Sequence, residues 1–100
     1  MLLPIFENRF KKDIKRLQKR GKDMTKLKNV IDKLLQKQEL EPKYKDHALM
    51  GNWNGYRDCH LEPDWLLIYK ITDTHLFLVR SGSHIEGGSR RGSVAILLNR

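Results

Sequence analysis

Residues 65–71, "WLLIYKI", constrain this chain more than any other stretch. The run is too short to cross a membrane as a helix, which takes about 20 apolar residues. It also lacks the in–out alternation of a strand with one wet face, so it is read as a strand buried on both faces of a sheet. "YRDCHL" before it and "HLFLVR" after it are the candidate neighbours, with "LEPD" and "TDT" as turn material between them. Three strands joined by such short turns form an antiparallel meander.

The first half of the chain supplies helices. "ENRFKKDIKRLQKRG" and the residue before it place Phe6, Phe10, Ile14 and Leu17 at helical spacing, and Gly21 is a stop signal. Asp23 is a plausible N-cap for a second helix carrying Met24, Leu27, Val30, Ile31, Leu34 and Leu35 on one side. The short break between the two implies an antiparallel hairpin. "LLPIF" at the start reads as an edge strand, because Pro4 has no N–H for a central one. Residues 40–55, with their Pro, Gly and Asn, read as a long loop. The expected class is α+β: an N-terminal strand, a helical hairpin, then a three-stranded antiparallel meander.

With 100 residues, 39% of them hydrophobic and 32% charged, the chain suits one folded domain and not a disordered one. The net charge is +8, and all of the excess lies in residues 1–45. That distribution points to a polyanionic partner such as nucleic acid, a ribosomal surface or an acidic protein, or else to a solvated helix face. No segment is long enough to span a membrane, and "MLLPIFENRF" lacks the basic start of a signal peptide, so a cytoplasmic protein with no membrane partner is expected. The single cysteine, Cys59, excludes an internal disulfide. The domain is placed at residues 1–84. The tail, residues 85–100, contains "GGSRRGS" and an apolar "VAILL" and does not match its surroundings. It is read as a vector-encoded scar, with a native tail as the alternative.

Titratable residues gather around the apolar strand. Alternation in "YRDCHL" sets Tyr56, Asp58 and His60 on one face and Arg57, Cys59 and Leu61 on the other. Asp64 lies just past the turn, His47 in the preceding loop and His84 after the last strand, so one end of a sheet could collect all five. Histidines and aspartates beside cations suit RNA cleavage by the substrate's own 2′-hydroxyl. That reaction needs a base for the 2′-OH, an acid for the 5′-oxygen and a cation for the phosphorane. Arg57 or Arg80 could hold the phosphate, and Lys11, Lys15 and Lys19 on the first helix could meet an RNA backbone. No metal or other cofactor is required, and no close HxxxH or CxxC pair is present. Each residue also has a plainer reading. His47 could cap a loop, His60 could be half-buried against Asp58, and Asp64 could be a turn residue. His75 is read as structural, in a turn. Cys59 faces the core and Trp65 belongs to it, while Trp53 is either core or a base-stacking platform.

"KRGKDMTKLKNVIDKLL" followed by "YKDHALMGNWNGYRDCHLEPDWLLIYKITDTHLFLVRSGSH" resembles the YafQ branch of the RelE/ParE superfamily of bacterial toxins, over nearly all of residues 1–84. The resemblance implies the same helical hairpin on an antiparallel sheet. It implies a ribosome-dependent endoribonuclease that enters the A site of the 70S ribosome against 16S rRNA, cuts mRNA there, and is neutralised by a cognate antitoxin protein. Carried over by motif, the histidine of "DHAL" is His47, the pair in "RDCH" is Asp58 and His60, the aspartate of "EPDW" is Asp64, and the histidine of "GSH" is His84. His47, His60, Asp64 and His84 are then the expected chemical core, with Asp58 supporting. His47 and His84 are the proton-transfer candidates, and Asp64 is a base or a histidine orienter. The family commonly ends with an aromatic soon after this last histidine, where this chain continues as "IEGGSRRGSVAILLNR". Non-catalytic members of the superfamily, such as the gyrase-poisoning branch, and a disabled toxin that binds without cutting are the competing readings.

Overall fold

The strand Trp65–Ile71 is the middle of a five-stranded sheet in a computed structural model that describes residues 1–82. The elements in chain order are β1 (Leu3–Phe6), α1 (Asn8–Lys19), α2 (Met24–Leu35), β2 (His47–Ala48), β3 (Arg57–Glu62), β4 (Trp65–Ile71) and β5 (His75–Gly82). Short 3-10 turns at Pro42–Tyr44 and Gly51–Trp53 flank β2. The spatial order is β1-β5-β4-β3-β2, with β1 parallel to β5 and every other pair antiparallel. The tail, residues 85–100, the domain boundary at 84 and His84 all lie outside the described residues.

The apolar run of β4 is explained by cover on both faces. Trp65, Leu67 and Tyr69 join Phe10, Leu17 and the buried residues of α2 in the main core. Leu66 and Ile68 face the other way, into a smaller cluster with Val79 that Leu49, Trp53, Tyr56 and Phe77 cover. The helices therefore shield one face, and the segment before β3 shields the other. Trp65 through Tyr69 are each at most 1% exposed. At about 25 cal/mol per Å² of apolar surface removed from water, burial of these side chains is strongly stabilising.

Local signals set most boundaries. Asp23 caps α2 by accepting the Thr25 N–H at 2.9 Å. Gly21, at φ +79°, takes the left-handed conformation that lets the chain turn out of α1. Pro4 sits on the edge strand β1, where no partner needs its missing N–H.

The expected edge strand and three-stranded meander are present, and the two-residue β2 extends the sheet to five strands. Three expectations are corrected. The stretch 40–55 is not only loop, since β2 lies within it; two residues are too short to show alternation in a sequence. Phe6 ends β1 and is not part of α1, although its ring remains 6.0 Å from that of Phe10. His75, likewise, is the first residue of β5 and not a turn residue. Among the described residues, no helix is long and apolar enough to cross a membrane.

Candidate active site

The register of the sheet decides which titratable groups meet. His47 on β2 pairs with Asp58 on β3, which pairs with Ile68 on β4. The His47 ring nitrogen Nε2 lies 3.0 Å from Asp58 Oδ1. The Asp58 side chain is 1% exposed and that of His47 is 55% exposed, so the pair joins a buried carboxylate to an accessible imidazole. At the other side of the ring, Nδ1–H donates to the Lys45 carbonyl at 2.8 Å. With Nδ1 committed as a donor, Nε2 carries a proton only in the imidazolium, and that charged form is the one the Asp58 carboxylate attracts across 3.0 Å.

His60 follows Asp58 by two residues on β3 and shares its face by alternation. It is half-buried and lies opposite Leu66, which in turn lies opposite Gly82. This rung brings the end of β5 to the His60 end of the sheet. Asp64, half-buried, occupies the β3–β4 turn at the same end. A β-bulge at Leu61, where His60 pairs with Leu66 and Glu62 with Trp65, re-aims the strand as it enters that turn. A cleft of about 580 Å³ runs from His60 past Leu61, Glu62 and Pro63 to Lys26, Lys43 and Lys45. The expected group thus resolves into a close His47–Asp58 pair, with His60 beside it and Asp64 at the adjoining turn.

The two arginines are engaged within the fold. Arg80 is 5% exposed and grips Asp13 through Nε at 2.7 Å and Nη2 at 3.1 Å. The same carboxylate accepts the Ser81 backbone N–H at 3.0 Å. β1 pairs with β5 only as far as Leu78, so Asp13 satisfies part of the edge that β1 leaves open. A second bulge, at Val79, lets β5 present Arg80 to α1. Arg80, the other candidate for the phosphate, is thus buried and bidentate with Asp13. Arg57 donates from Nε to Asp46 at 3.1 Å, with its side chain 41% exposed. Its charge is held for Asp46, although its exposure leaves it the better placed of the two arginines.

Lys11, Lys15 and Lys19 are exposed on α1. Lys11 and Lys15 border a groove of about 620 Å³ between the helices, lined by Phe6, Phe10, Ile14, Met24 and Ile31. They lie on the helical layer and not at the His47–Asp58 pair. Cys59 is fully buried, and burial pushes its thiol well above the usual range, which keeps it in the protonated, poorly nucleophilic form. Trp53 stands edge-on to Tyr56 at 5.0 Å and is half-buried, covering the smaller core cluster.

Two functional partners escaped the sequence reading. Asp13 lies on the apolar stripe of α1 between Phe10 and Leu17, where an acid signals a buried cation, and that signal was available. Asp46 looked like a loop residue, yet it accepts the Tyr69 Oη–H at 2.6 Å. A tyrosine inside an apolar strand needs such a partner, but nothing local says which one.

Comparison with known proteins identifies the family of the chain. The family model described as "Bacterial toxin of type II toxin-antitoxin system, YafQ" matches residues 4–86. The mRNA interferase toxin YafQ of Escherichia coli K12 is 50% identical over 80 residues, covering 79% of this chain and 87% of that protein. The toxin in an E. coli DinJ–YafQ complex superposes with a TM-score of 0.80 at 46% identity, covering 86% of this chain and 97% of that one. A copper-bound mutant toxin from Helicobacter pylori gives a TM-score of 0.83 at 42% identity, covering 86% and 98%. Among the described residues of the present chain, no three His, Cys, Asp or Glu side chains are grouped to hold a metal ion. By sequence over most of its length and by fold, this chain belongs to the YafQ family of bacterial type II toxin–antitoxin toxins.

Proposed function

We propose that this chain is an mRNA interferase, an endoribonuclease that cuts mRNA in the A site of the 70S ribosome and is neutralised by a cognate antitoxin. The E. coli relative at 50% identity is named as such an enzyme, and E. coli YafQ forms a complex with DinJ. The observation that carries the reading is the His47–Asp58 pair, an accessible imidazole held 3.0 Å from a buried carboxylate.

The reaction uses groups of this chain. The 2′-hydroxyl attacks the adjacent phosphorus, a base takes its proton, and the P–O5′ bond breaks as an acid protonates the leaving oxygen. His47 fits the acid. With Nδ1 bonded to the Lys45 carbonyl, the proton His47 delivers is the one on Nε2, which turns from beside Asp58 to the leaving oxygen as the exposed ring meets substrate. His60, Asp64 and the sequence-assigned His84 supply the base and the remaining contacts, with Arg57 near the phosphate. The 2′-OH requirement makes the substrate RNA. Lys11, Lys15 and Lys19 give the helical layer a cationic surface for 16S rRNA or for an acidic antitoxin segment.

The test is in vitro translation of a defined mRNA followed by primer extension, with the His47→Ala/His84→Ala double variant alongside. Ribosome-dependent cuts that vanish in the variant support the reading. Translation arrest without cuts, from the unmodified chain, would replace it with a non-catalytic toxin. Antitoxin binding with neither cuts nor arrest would identify a disabled toxin.

A further inference from the structure

Three consecutive residues, Lys45, Asp46 and His47, share a division of labour that the reaction scheme leaves unused. Lys45 ends the Pro42–Tyr44 turn in the left-handed conformation, at φ 50° and ψ 41°. That backbone state is uncommon for a side chain bearing a Cβ and persists only where the surroundings enforce it. Its carbonyl is the acceptor for His47 Nδ1, at 2.8 Å. The next residue, Asp46, anchors to the sheet. Its Oδ1 receives the Tyr69 phenol at 2.6 Å and the Arg57 Nε–H at 3.1 Å. Tyr69 is 1% exposed at the middle of β4, and Arg57 lies on β3 beside Asp58.

Because β2 is only two residues long, it cannot hold its own register. A single ladder of this size is weak without side-chain anchors. The Asp46 carboxylate supplies the anchor, tying the loop to both β3 and β4 one residue before the histidine. Burial, and then the Asp46 carboxylate, push the Tyr69 hydroxyl's ionisation upward, so it remains a donor throughout the working pH range. Burial acts to lower Arg57, but its bonding with Tyr69 and Asp46 outweighs that and keeps it charged.

We propose that Asp46 is a positioning residue for proton transfer by His47, acting through Tyr69 and Arg57 to fix the Lys45 carbonyl and the imidazole relative to Asp58. The inference rests on the reading of His47 as a proton-transfer group. It adds a residue that touches neither substrate nor the reacting atoms.

Three variants test it: Asp46→Ala, Asp46→Asn and Tyr69→Phe. Asparagine keeps an oxygen for the Tyr69 hydroxyl, and phenylalanine keeps the packing of β4 while removing the donor. Cleavage is measured on programmed ribosomes and resolved into kcat and KM, with thermal unfolding of each variant. The imidazole ¹⁵N resonances of His47 are recorded in the free protein, with His75 as the internal control.

The expected result is a fall in kcat of about 10- to 100-fold for Asp46→Ala with KM within about two-fold, since a displacement near 1 Å has effects of this order. Asp46→Asn should recover part of that loss. Tyr69→Phe should shift the His47 resonances and leave those of His75 in place. The proposal is overturned if Asp46→Ala stays folded with unchanged kcat. It is equally overturned if activity falls only in proportion to the unfolded fraction, or if the His47 resonances are unmoved in both Asp46→Ala and Tyr69→Phe. Failure of the unmodified chain to cut would refute the nuclease reading alone, because the resonances still report whether Asp46 sets the ring.

Discussion

Arg80 and Asp13, 67 positions apart in sequence, form a buried bidentate ion pair with contacts of 2.7 and 3.1 Å. The Ser81 N–H is bonded to the same carboxylate, and Trp65 Nε1–H donates to Ser81 Oγ, which passes its own hydrogen to the Leu66 carbonyl. One acid on α1 thus satisfies a guanidinium and a strand edge, and its neighbours continue the network into β4.

Asp13→Ala leaves that guanidinium buried without its carboxylate. Removing one partner of a buried pair costs about 3–5 kcal/mol, a large fraction of the stability of a domain this size. Urea denaturation should show the loss as a lower midpoint. The double variant Asp13→Leu/Arg80→Met should lose less than Asp13→Ala, because no buried charge is left behind. It should not reach the parent, since Ser81 N–H then has no acceptor.

His47→Ala should abolish proton transfer while leaving the fold in place, because its side chain is more than half exposed. A drop in cleavage of about 10²- to 10⁴-fold is expected from loss of a general acid. Asp58→Asn should lower cleavage too, by removing the charge that holds the imidazolium. Primer extension quantifies both, and circular dichroism checks that the variants fold. Parent-level cleavage by His47→Ala would remove this histidine from the mechanism.

The bridge from Glu62 to Lys26 at 2.9 Å and Lys22 at 3.0 Å ties β3 to the start of α2. Hydrogen bonds from Lys26 and Lys22 hold the Glu62 carboxyl below its ordinary 4.5, and the bond to Glu62 raises Lys26 above its ordinary 10.5. Lowering an acid means its contribution is complete above 4.5 and is lost as pH falls through the depressed value. Raising a base means the contribution is complete below 10.5 and is lost as pH rises through the elevated value. The bridge therefore acts fully between these limits. Glu62→Gln should give a small reduction in the urea midpoint at pH 7, one that shrinks toward zero as the pH is taken well below 4. A variant equally weakened at pH 7 and at pH 2.5 would show that the effect is packing and not charge.

Charge reversal at Lys11, Lys15 and Lys19 should weaken ribosome association without altering the cleavage rate of bound complexes. If these residues meet phosphates, the slope of log affinity against log salt should flatten by about one unit for each phosphate that is no longer neutralised. Co-sedimentation with 70S ribosomes across a salt series reads it directly. An unchanged slope would leave the three lysines as a solvated face.

What the sequence determined by itself were the features that depend on near neighbours. The double-sided burial of β4 follows from an unbroken apolar run. The end of α1 and the start of α2 follow from Gly21 and the Asp23 cap, and the edge position of β1 follows from Pro4. The candidate histidines and acids were legible because their residue types and motif spacing are written in one short stretch. Pairing across the sheet was not legible. It took the folded core to show that β1 runs parallel to β5, that His47 sits on a two-residue strand in register with Asp58, that Asp13 claims Arg80, and that Asp46 serves Tyr69. The physical reason is that a buried polar group must be satisfied, while the partner that satisfies it is chosen by strand register and helix placement. Those are set by packing of the whole core, and no local pattern of residues encodes them.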